Sequence, residues 1–483
     1  MKNENFNTCF YDYIKKILPN EDSYEEFLKY HKKKLRLSIR VNTLKIKVPE
    51  FKVIANQNNW ILEPIPWTEN GFWVTLPKEY NLGNSIEHIL GLIYIQEASS
   101  MLPPVALSFQ NKKSGVVLDM AAAPGSKTTQ IGEIYDESSL IIANELSSSR
   151  IKALTTNVRR CGLKNVIISH HDAIKFGKFS PETFDSILLD APCTGEGVSR
   201  KDNNALSNWN LSTILEYMEI QKKLIQSAFD ALKPGGSLVY STCTLNLYEN
   251  QKVCQYLKET YNEEVESIPL DKLFDGAHKS TTKEGFLHVF PHTYDSEGFF
   301  IAKFTKKNIF KKNNTTPNLI SPNRPNFPYT KLSQIDILKV HNELEKNFGY
   351  CGNLMKNIWK NNDQLWLFPE CENENIFKIM RFNRFGTSLA KTIKNSFKWE
   401  HESLVNSFSF DSIRPENRYI LNKDEVIQWF EGKNINIKST ESIYPFLVLF
   451  YQDICVGYGK IFKKNQIKNN IPRYLVKDPG LIY

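Results

Sequence analysis

At 483 residues the chain is too long for one ordinary domain, and two to four are expected. A hydrophobic fraction of 41% beside 24% charged residues is that of a soluble globular protein, and no apolar stretch is long enough to span a bilayer. The net charge of +8 is modest but unevenly spread, which favours a polyanionic partner over a purely structural role.

The opening M-K-N-E-N-F-N-T-C-F has no apolar core, so no secretory leader is expected. The eight cysteines form no C-x-x-C pair, which argues against zinc and disulfides and for reduced thiols in a cytoplasmic protein. Residues 6–34 carry helical apolar spacing, with Phe6, Phe10, Tyr13 and Ile17 on one face. No acid lies between Glu26 and Glu50, a stretch holding Lys29, Lys32, Lys33, Lys34, Arg36, Arg40, Lys45 and Lys47. Such a run is ordinarily a solvated face. Here Leu35, Leu37, Ile39 and Val41 interleave with the charges, which predicts a strand with one basic face suited to nucleic acid. Trp60, Trp67, Phe72 and Trp73 mark short strands around turns, and residues 1–104 are expected to form a small α+β domain.

From Gly115 strands alternate with helices. Strands are predicted at 116–120, 140–145, 165–172, 185–190 and 237–241. A basic helix stops at Gly162, and a helix over 211–232 is broken by Lys233-Pro-Gly-Gly236. The unit closes antiparallel, with 288–292 and 299–304 joined through Asp295–Gly298. Residues 105–305 thus describe a doubly wound α/β sheet with a mixed edge. Lys303 to Lys331 holds basic residues at 303, 306, 307, 311, 312, 324 and 331 and no acids, so 306–330 is predicted to be an extended linker. Residues 331–400 read as a small mixed domain, with an amphipathic helix near 331–347 and R-F-N-R-F-G at 381–386. Residues 401–483 are strand-rich, with a hairpin over 446–464 turning at Gln452-Asp453 and a basic end.

Ligands of open α/β sheets bind beyond the carboxyl ends of the strands. The turn Asp119–Lys127 offers backbone donors and a helix amino terminus there. G-x-G-x-x-G is absent, which disfavours a dinucleotide. Glu145 and Asp172 end the next two strands, placed for ribose hydroxyls and an adenine amine, and Asp190 ends the fourth. One strand-end acid is commonly a cap; three in series point to a nucleoside cofactor. Cys193 and Cys243 each follow a strand at the same edge, with Lys127, Arg200 and Lys201 as cations that would favour a thiolate. Cys9, Cys161, Cys254, Cys351, Cys371 and Cys455 read as buried hydrophobes, and His170-His171 as structural.

L-D-M-A-A-A-P-G-S-K-T, N-E-L-S-S-S-R, L-L-D-A-P-C-T-G-E-G and Y-S-T-C-T-L-N-L-Y-E-N together resemble the Nol1/Nop2/Sun family of RNA cytosine-C5 methyltransferases. R-V-N-T-L at 40–44, Y-I-Q-E-A-S-S-M at 94–101 and E-G-F-F-I-A-K extend the likeness across 35–305. It implies a class I, Rossmann-like methyltransferase sheet with late RNA-binding domains, including a PUA-like β-barrel over 401–483. It also implies S-adenosylmethionine on Ala121, Ala122, Ala123, Pro124, Gly125, Ser126 and Lys127, with Glu145 on its ribose, Asp172 near its adenine and Asp190 close by. The same resemblance makes Cys243 the nucleophile, Cys193 the helper in product release and Asp190 the group that activates the base at N3, with no metal. The implied partner is the small ribosomal subunit or its rRNA, modified at one cytosine of the decoding region by a monomer without a protein partner or membrane. The alternatives are the same chemistry on tRNA or another rRNA cytosine, and an RNA-binding ribosome-assembly protein without catalysis.

Overall fold

The computed structural model describes residues 8–78, 80–111, 113–202, 204–207, 209–308, 328–353, 355–369, 382–394, 396–437, 445–462 and 465–478. Phe6, Cys371, Arg381 and residues 309–327 of the expected linker lie outside them.

Strands β1 (Ser38–Val41), β2 (Ile61–Pro64), β3 (Gly71–Thr75) and β4 (Ile93–Ile95) form an antiparallel sheet in the order β2-β3-β1-β4. The helices Thr8–Ile17 and Glu21–Lys32 carry the expected apolar face, but they bury it elsewhere. Phe10, Ile14, Leu18 and Phe27 pack with Leu206 and Leu245, roofing the loop that follows Cys243.

The basic-faced strand is corrected by the structure. All four residues of β1 are buried, because one face meets its own domain and the other meets the helix Ser126–Ile134. Arg40 is fully buried, and its Nε and Nη2 donate to the Glu133 carboxylate at 2.9 and 3.0 Å. Lys45 donates to the carbonyls of Leu90 and Arg160 at 2.8 Å each, the second at the carboxyl end of the helix Ser148–Cys161, and burial lowers its ammonium to about 8. Cations belong at that helix end, where carbonyls lack partners. Lys29, Lys32, Lys34 and Lys47 stay exposed.

The central sheet comprises β5 (Val116–Asp119), β6 (Leu140–Asn144), β7 (Val166–Ser169), β8 (Phe184–Asp190), β9 (Leu232–Thr242), β10 (Val265–Ser267), β11 (Leu287–Val289) and β12 (Phe299–Lys306). The order is β10-β12-β9-β8-β5-β6-β7, with β11 paired to β12. The strands β5 to β9 run parallel, and β10 to β12 form the antiparallel edge. Alternate residues serve opposite faces: Leu118, Ile142, Ile187 and Tyr240 join one core, and Val117, Ile141, Leu188 and Val239 the other. That is why these strands read as continuous apolar runs. Lys233–Gly236 does not break the chain but lies within β9, opposite a register shift in β8, with Gly235 at φ 80°. Lys303 lies in β12 as expected, and Lys306, expected at the start of the linker, belongs to it too. The Lys303 Nζ donates to Ala106 O at 2.9 Å, and the Lys306 Nζ to Leu232 O at 3.0 Å, each just beyond or within the last turn of a helix.

The later strands are β13 (Thr330–Lys331), β14 (Ile358–Asn361), β15 (Gln364–Leu367), β16 (Phe382–Phe385), β17 (Thr387–Ile393) and β18 (Ser396–Trp399). Five of them form the sheet β13-β14-β15-β17-β18, beside the helix Gln334–Phe348. The exception is β16, which pairs antiparallel with β7 and so extends the central sheet. The segment 331–400 is therefore not self-contained: it contributes an edge strand to its neighbour. Residues from 418 supply β19 (Arg418–Ile420), β20 (Ile435–Asn436), β21 (Phe446–Tyr451), β22 (Ile454–Phe462) and β23 (Gln466–Lys468), in the order β19-β21-β22-β23-β20. The hairpin β21–β22 turns at Gln452 and Asp453, both in the left-handed region at φ 49° and 61°. Among the described residues no helix is long and apolar enough to cross a membrane.

Candidate active site

Parallel pairing of β8 with β9 sets Asp190 opposite Ser241. Cys193 lies three residues beyond the first and Cys243 two beyond the second, so two adjacent turns deliver two thiols to one place. Their sulfurs are 3.3 Å apart, and both residues are part-buried. The Cys193 thiol is pushed well above its ordinary value by its hydrogen bond with the Cys243 sulfur and by burial, and either sulfur can be the donor in that bond. Gly197 makes the close packing of these turns achievable, since a Cβ there would meet Gly298 O at 2.4 Å and Cys243 O at 2.6 Å.

The Asp190 side chain is 27% exposed and is held from both sides. Ser241 Oγ donates to its Oδ1 at 2.7 Å, and Lys127 Nζ lies 2.7 Å from its Oδ2. Lys127 also donates to Ser100 Oγ at 3.0 Å and sits 5.3 Å from the Phe299 ring centroid. Burial would lower the Lys127 ammonium, but the charge and hydrogen bond of Asp190 outweigh it and hold it above its usual value. Of the three cations considered for the thiols, Lys127 is thus committed to Asp190. Arg200 is bound to Asp295 at 2.7 Å and to Ser296 O at 2.8 Å.

The turn Ala121–Lys127 crosses the carboxyl end of β5. Ala123–Pro124 is a cis peptide, and Gly125 precedes the helix Ser126–Ile134 at φ 105°, a conformation that favours glycine. The buried Glu145 accepts from Ala123 N at 3.2 Å and Ser147 N at 2.9 Å. Asp172 caps the turn Ala173–Lys175, accepting from Ile174 N at 3.2 Å. Asp119 is wholly buried: its Oδ2 accepts from Thr128 Oγ1 at 2.6 Å, and among the described residues its Oδ1 has no partner. Burial, opposed by Thr128 and Lys127, raises Asp119 to about 7, and the charges of Asp190 and Glu145 add to the rise. A buried orphan oxygen and three carboxylates around one turn fit a ligand bearing an ammonium and a sulfonium.

The sequence reading missed Ser241, Ser100 and the polar set behind the thiols, which includes Glu196 and Glu249. For Ser241 a signal existed: D-A-P-C and S-T-C end neighbouring strands at nearly equal offsets. Among the other cysteines, Cys161, Cys254 and Cys455 are buried as expected, whereas Cys9 and Cys351 are exposed, a correction to their reading as core residues.

A parallel sheet of this order, with a glycine turn after β5 and acids at successive strand ends, defines a class I S-adenosylmethionine-dependent methyltransferase. The family model "16S rRNA methyltransferase RsmB/F" matches residues 104–305. The N-terminal domain of 16S rRNA methyltransferase RsmF matches 6–98, and the pre-PUA domain of ribosomal RNA small subunit methyltransferase F matches 329–407. The chain is 45% identical to ribosomal RNA small subunit methyltransferase F of Shewanella piezotolerans over 98% of both chains. It is 43% identical to that of Photobacterium profundum, over 98% of this chain and 97% of the other. A solved methyltransferase homologue from Pyrococcus horikoshii is 34% identical with a TM-score of 0.55, covering 63% of this chain and 96% of that one. The chain belongs to the ribosomal RNA small subunit methyltransferase F family, within the RsmB/F methyltransferases. It is an S-adenosylmethionine-dependent rRNA cytosine-C5 methyltransferase.

Proposed function

We propose that Cys243 is the nucleophile that adds to carbon 6 of a cytosine turned out of its stack, with Cys193 serving product release and Asp190 attending ring N3. The observation that carries this reading is the pair of sulfurs 3.3 Å apart beside a part-exposed Asp190. Carbon 5 of cytosine is a weak nucleophile. Formation of a sulfur–carbon 6 bond turns the ring into an enamine whose carbon 5 can attack. The same addition makes N3 more basic, and a carboxyl oriented by Ser241 and Lys127 is placed to hydrogen-bond or protonate it. Bound on Ala121–Lys127, with Glu145 and Asp172 toward its nucleoside and Asp190 nearby, S-adenosylmethionine supplies an electrophilic methyl group. Transfer of the carbon 5 proton to a base, the part the Cys193 sulfur takes as thiolate, returns the C–H electrons to the ring and expels the Cys243 sulfur from carbon 6.

The target is taken to be one decoding-region cytosine of the small-subunit rRNA, reached by base flipping. The exposed Lys29, Lys32, Lys34 and Lys47 and the strand-rich residues 401–483, read as a PUA-like barrel, hold RNA chiefly through phosphates. The domain plan is 1–104 for RNA contact, 105–305 for catalysis, 306–330 as linker, and 331–400 and 401–483 as late domains. The enzyme acts as a cytoplasmic monomer without metal. Incubation of Cys193→Ala and Cys243→Ala variants with small-subunit RNA and cofactor tests the reading. A covalent adduct in the first and none in the second supports it; the reverse exchanges the two roles.

A further inference from the structure

The two thiols also have the geometry to close on each other. Their sulfurs stand 3.3 Å apart. A disulfide needs about 2.05 Å, a further approach of roughly 1.2 Å that side-chain rotation can supply. Both turns start from paired neighbouring strands, β8 and β9. Such strands lie about 4.8 Å apart, inside the span of about 4.4–6.8 Å between bridged Cα atoms. The turns are also tied to each other, since Gly197 N donates to Cys243 O at 3.0 Å. Glu249 holds Thr194 N at 3.0 Å on one side, and Glu196 holds Leu245 N and Asn246 N at 3.1 and 2.9 Å on the other. Gly195, at φ 74°, leaves room beside the Cys243 sulfur, from which a Cβ there would stand 3.9 Å. Both cysteines are part-buried in a pocket that has to admit a cytosine, so a small oxidant can reach them.

We propose that Cys193 and Cys243 are oxidised to a reversible disulfide by a low-molecular-weight disulfide, and that this bridge switches methyl transfer off. One thiol gives its proton to solvent and attacks the small disulfide, RSSR. A protein S–SR bond forms and RS⁻ leaves. The other cysteine, giving its own proton to solvent, attacks the protein sulfur of that mixed disulfide. The Cys193–Cys243 bond forms and the second RS⁻ leaves. Both RS⁻ take up protons, so two protein thiols and RSSR become one protein disulfide and two RSH. The cysteines are oxidised and the small disulfide is reduced. The second attack joins sulfurs already in contact, which favours closure over reversal by free RSH. Cys193, held as a thiol by its hydrogen bond with Cys243 and by burial, attacks slowly, so a lasting oxidising shift closes the bridge and a brief one does not. Once bridged, neither sulfur can add to carbon 6 or accept its proton. The turn Ala121–Lys127 lies outside the bridge, so S-adenosylmethionine binding should persist.

The loss of activity rests on the cysteine pair as the reacting site; formation of the bridge does not. The test incubates the reduced full chain with glutathione disulfide, alkylates the remaining thiols and maps the peptides by mass. The Cys193 peptide should be found joined to the Cys243 peptide. The same sample should form no adduct with small-subunit RNA, keep its calorimetric affinity for S-adenosylmethionine and regain its starting rate after dithiothreitol. Cys193→Ser and Cys243→Ser should each carry glutathione on the cysteine that remains. A Cys9→Ser/Cys351→Ser variant, which lacks the two exposed thiols, should bridge and recover as the wild type does. Absence of the joined peptide, with both thiols free or each carrying glutathione, would overturn the proposal, as would a rate that reduction of the bridge does not restore. Bridged protein that still transfers methyl groups would leave the disulfide standing and overturn the cysteine roles instead.

Discussion

Cys193 and Cys243 meet sulfur to sulfur at 3.3 Å because they end neighbouring parallel strands at almost the same height. Among the described residues no basic side chain is paired with either thiol: Lys127 serves Asp190, and Arg200 serves Asp295. The two thiols hydrogen-bond to each other, and either sulfur can be the donor.

Asp190→Ala removes the carboxyl from the thiol pocket and leaves the turn Ala121–Gly125 intact. Cofactor binding should persist in calorimetry, while kcat falls by about 10²- to 10⁴-fold, the usual range for a positioned acid–base group. Normal turnover would remove Asp190 from the mechanism.

Glu145 accepts two backbone hydrogen bonds at the turn and is buried. Glu145→Ala should weaken S-adenosylmethionine binding by about 10- to 100-fold, equivalent to a charge-assisted hydrogen bond of ~1.5–3 kcal/mol. Methylation should recover at raised cofactor concentration, which a titration of initial rate against cofactor would reveal.

Much of this was legible in the sequence. The strand-end residues Asp119, Glu145, Asp190, Cys193 and Cys243 stand out because β5, β6, β8 and β9 are apolar runs buried on both faces, and polar residues mark where each run stops. The hairpin at Gln452-Asp453 was visible for the same reason. Burial of Arg40, Lys303 and Lys306, and half-burial of Lys45, was not. Charge in a sequence reads as exposure, whereas these cations meet a carboxylate or helix-end carbonyls supplied by distant segments. The pairing of β16 with β7 was hidden too, since it joins residues over 200 positions apart and a short strand does not announce its partner.

Arg40 illustrates the cost of such a buried ion. Its partner Glu133 is 1% exposed, and the same guanidinium donates to Ser126 O at 2.9 Å and Thr129 Oγ1 at 2.8 Å in the helix that follows the turn Ala121–Gly125. Arg40→Ala leaves a carboxylate stranded and should destabilise the fold by about 3–5 kcal/mol. Denaturant titration should register the loss, together with weaker cofactor binding.

Asp119 makes stability depend on pH with a definite sign. Its folded-state value, about 7, lies above its ordinary value of 3.8, so between them the folded chain binds more protons than the unfolded one. Its contribution is therefore greatest below pH 3.8 and is lost as pH rises through about 7. Asp119→Asn cannot ionise and should lose less stability than wild type between pH 5 and pH 8, two values that roughly bracket this transition. Denaturant midpoints at both pH values would check it, and an unchanged difference would contradict it.

The most direct test of the central claim is denaturing electrophoresis of the two cysteine variants after incubation with cofactor and small-subunit RNA. Cys193→Ala should accumulate a covalent protein–RNA band, because addition proceeds and release is impaired, while Cys243→Ala should form none and transfer no methyl group. An adduct that persists without Cys243 would contradict the account.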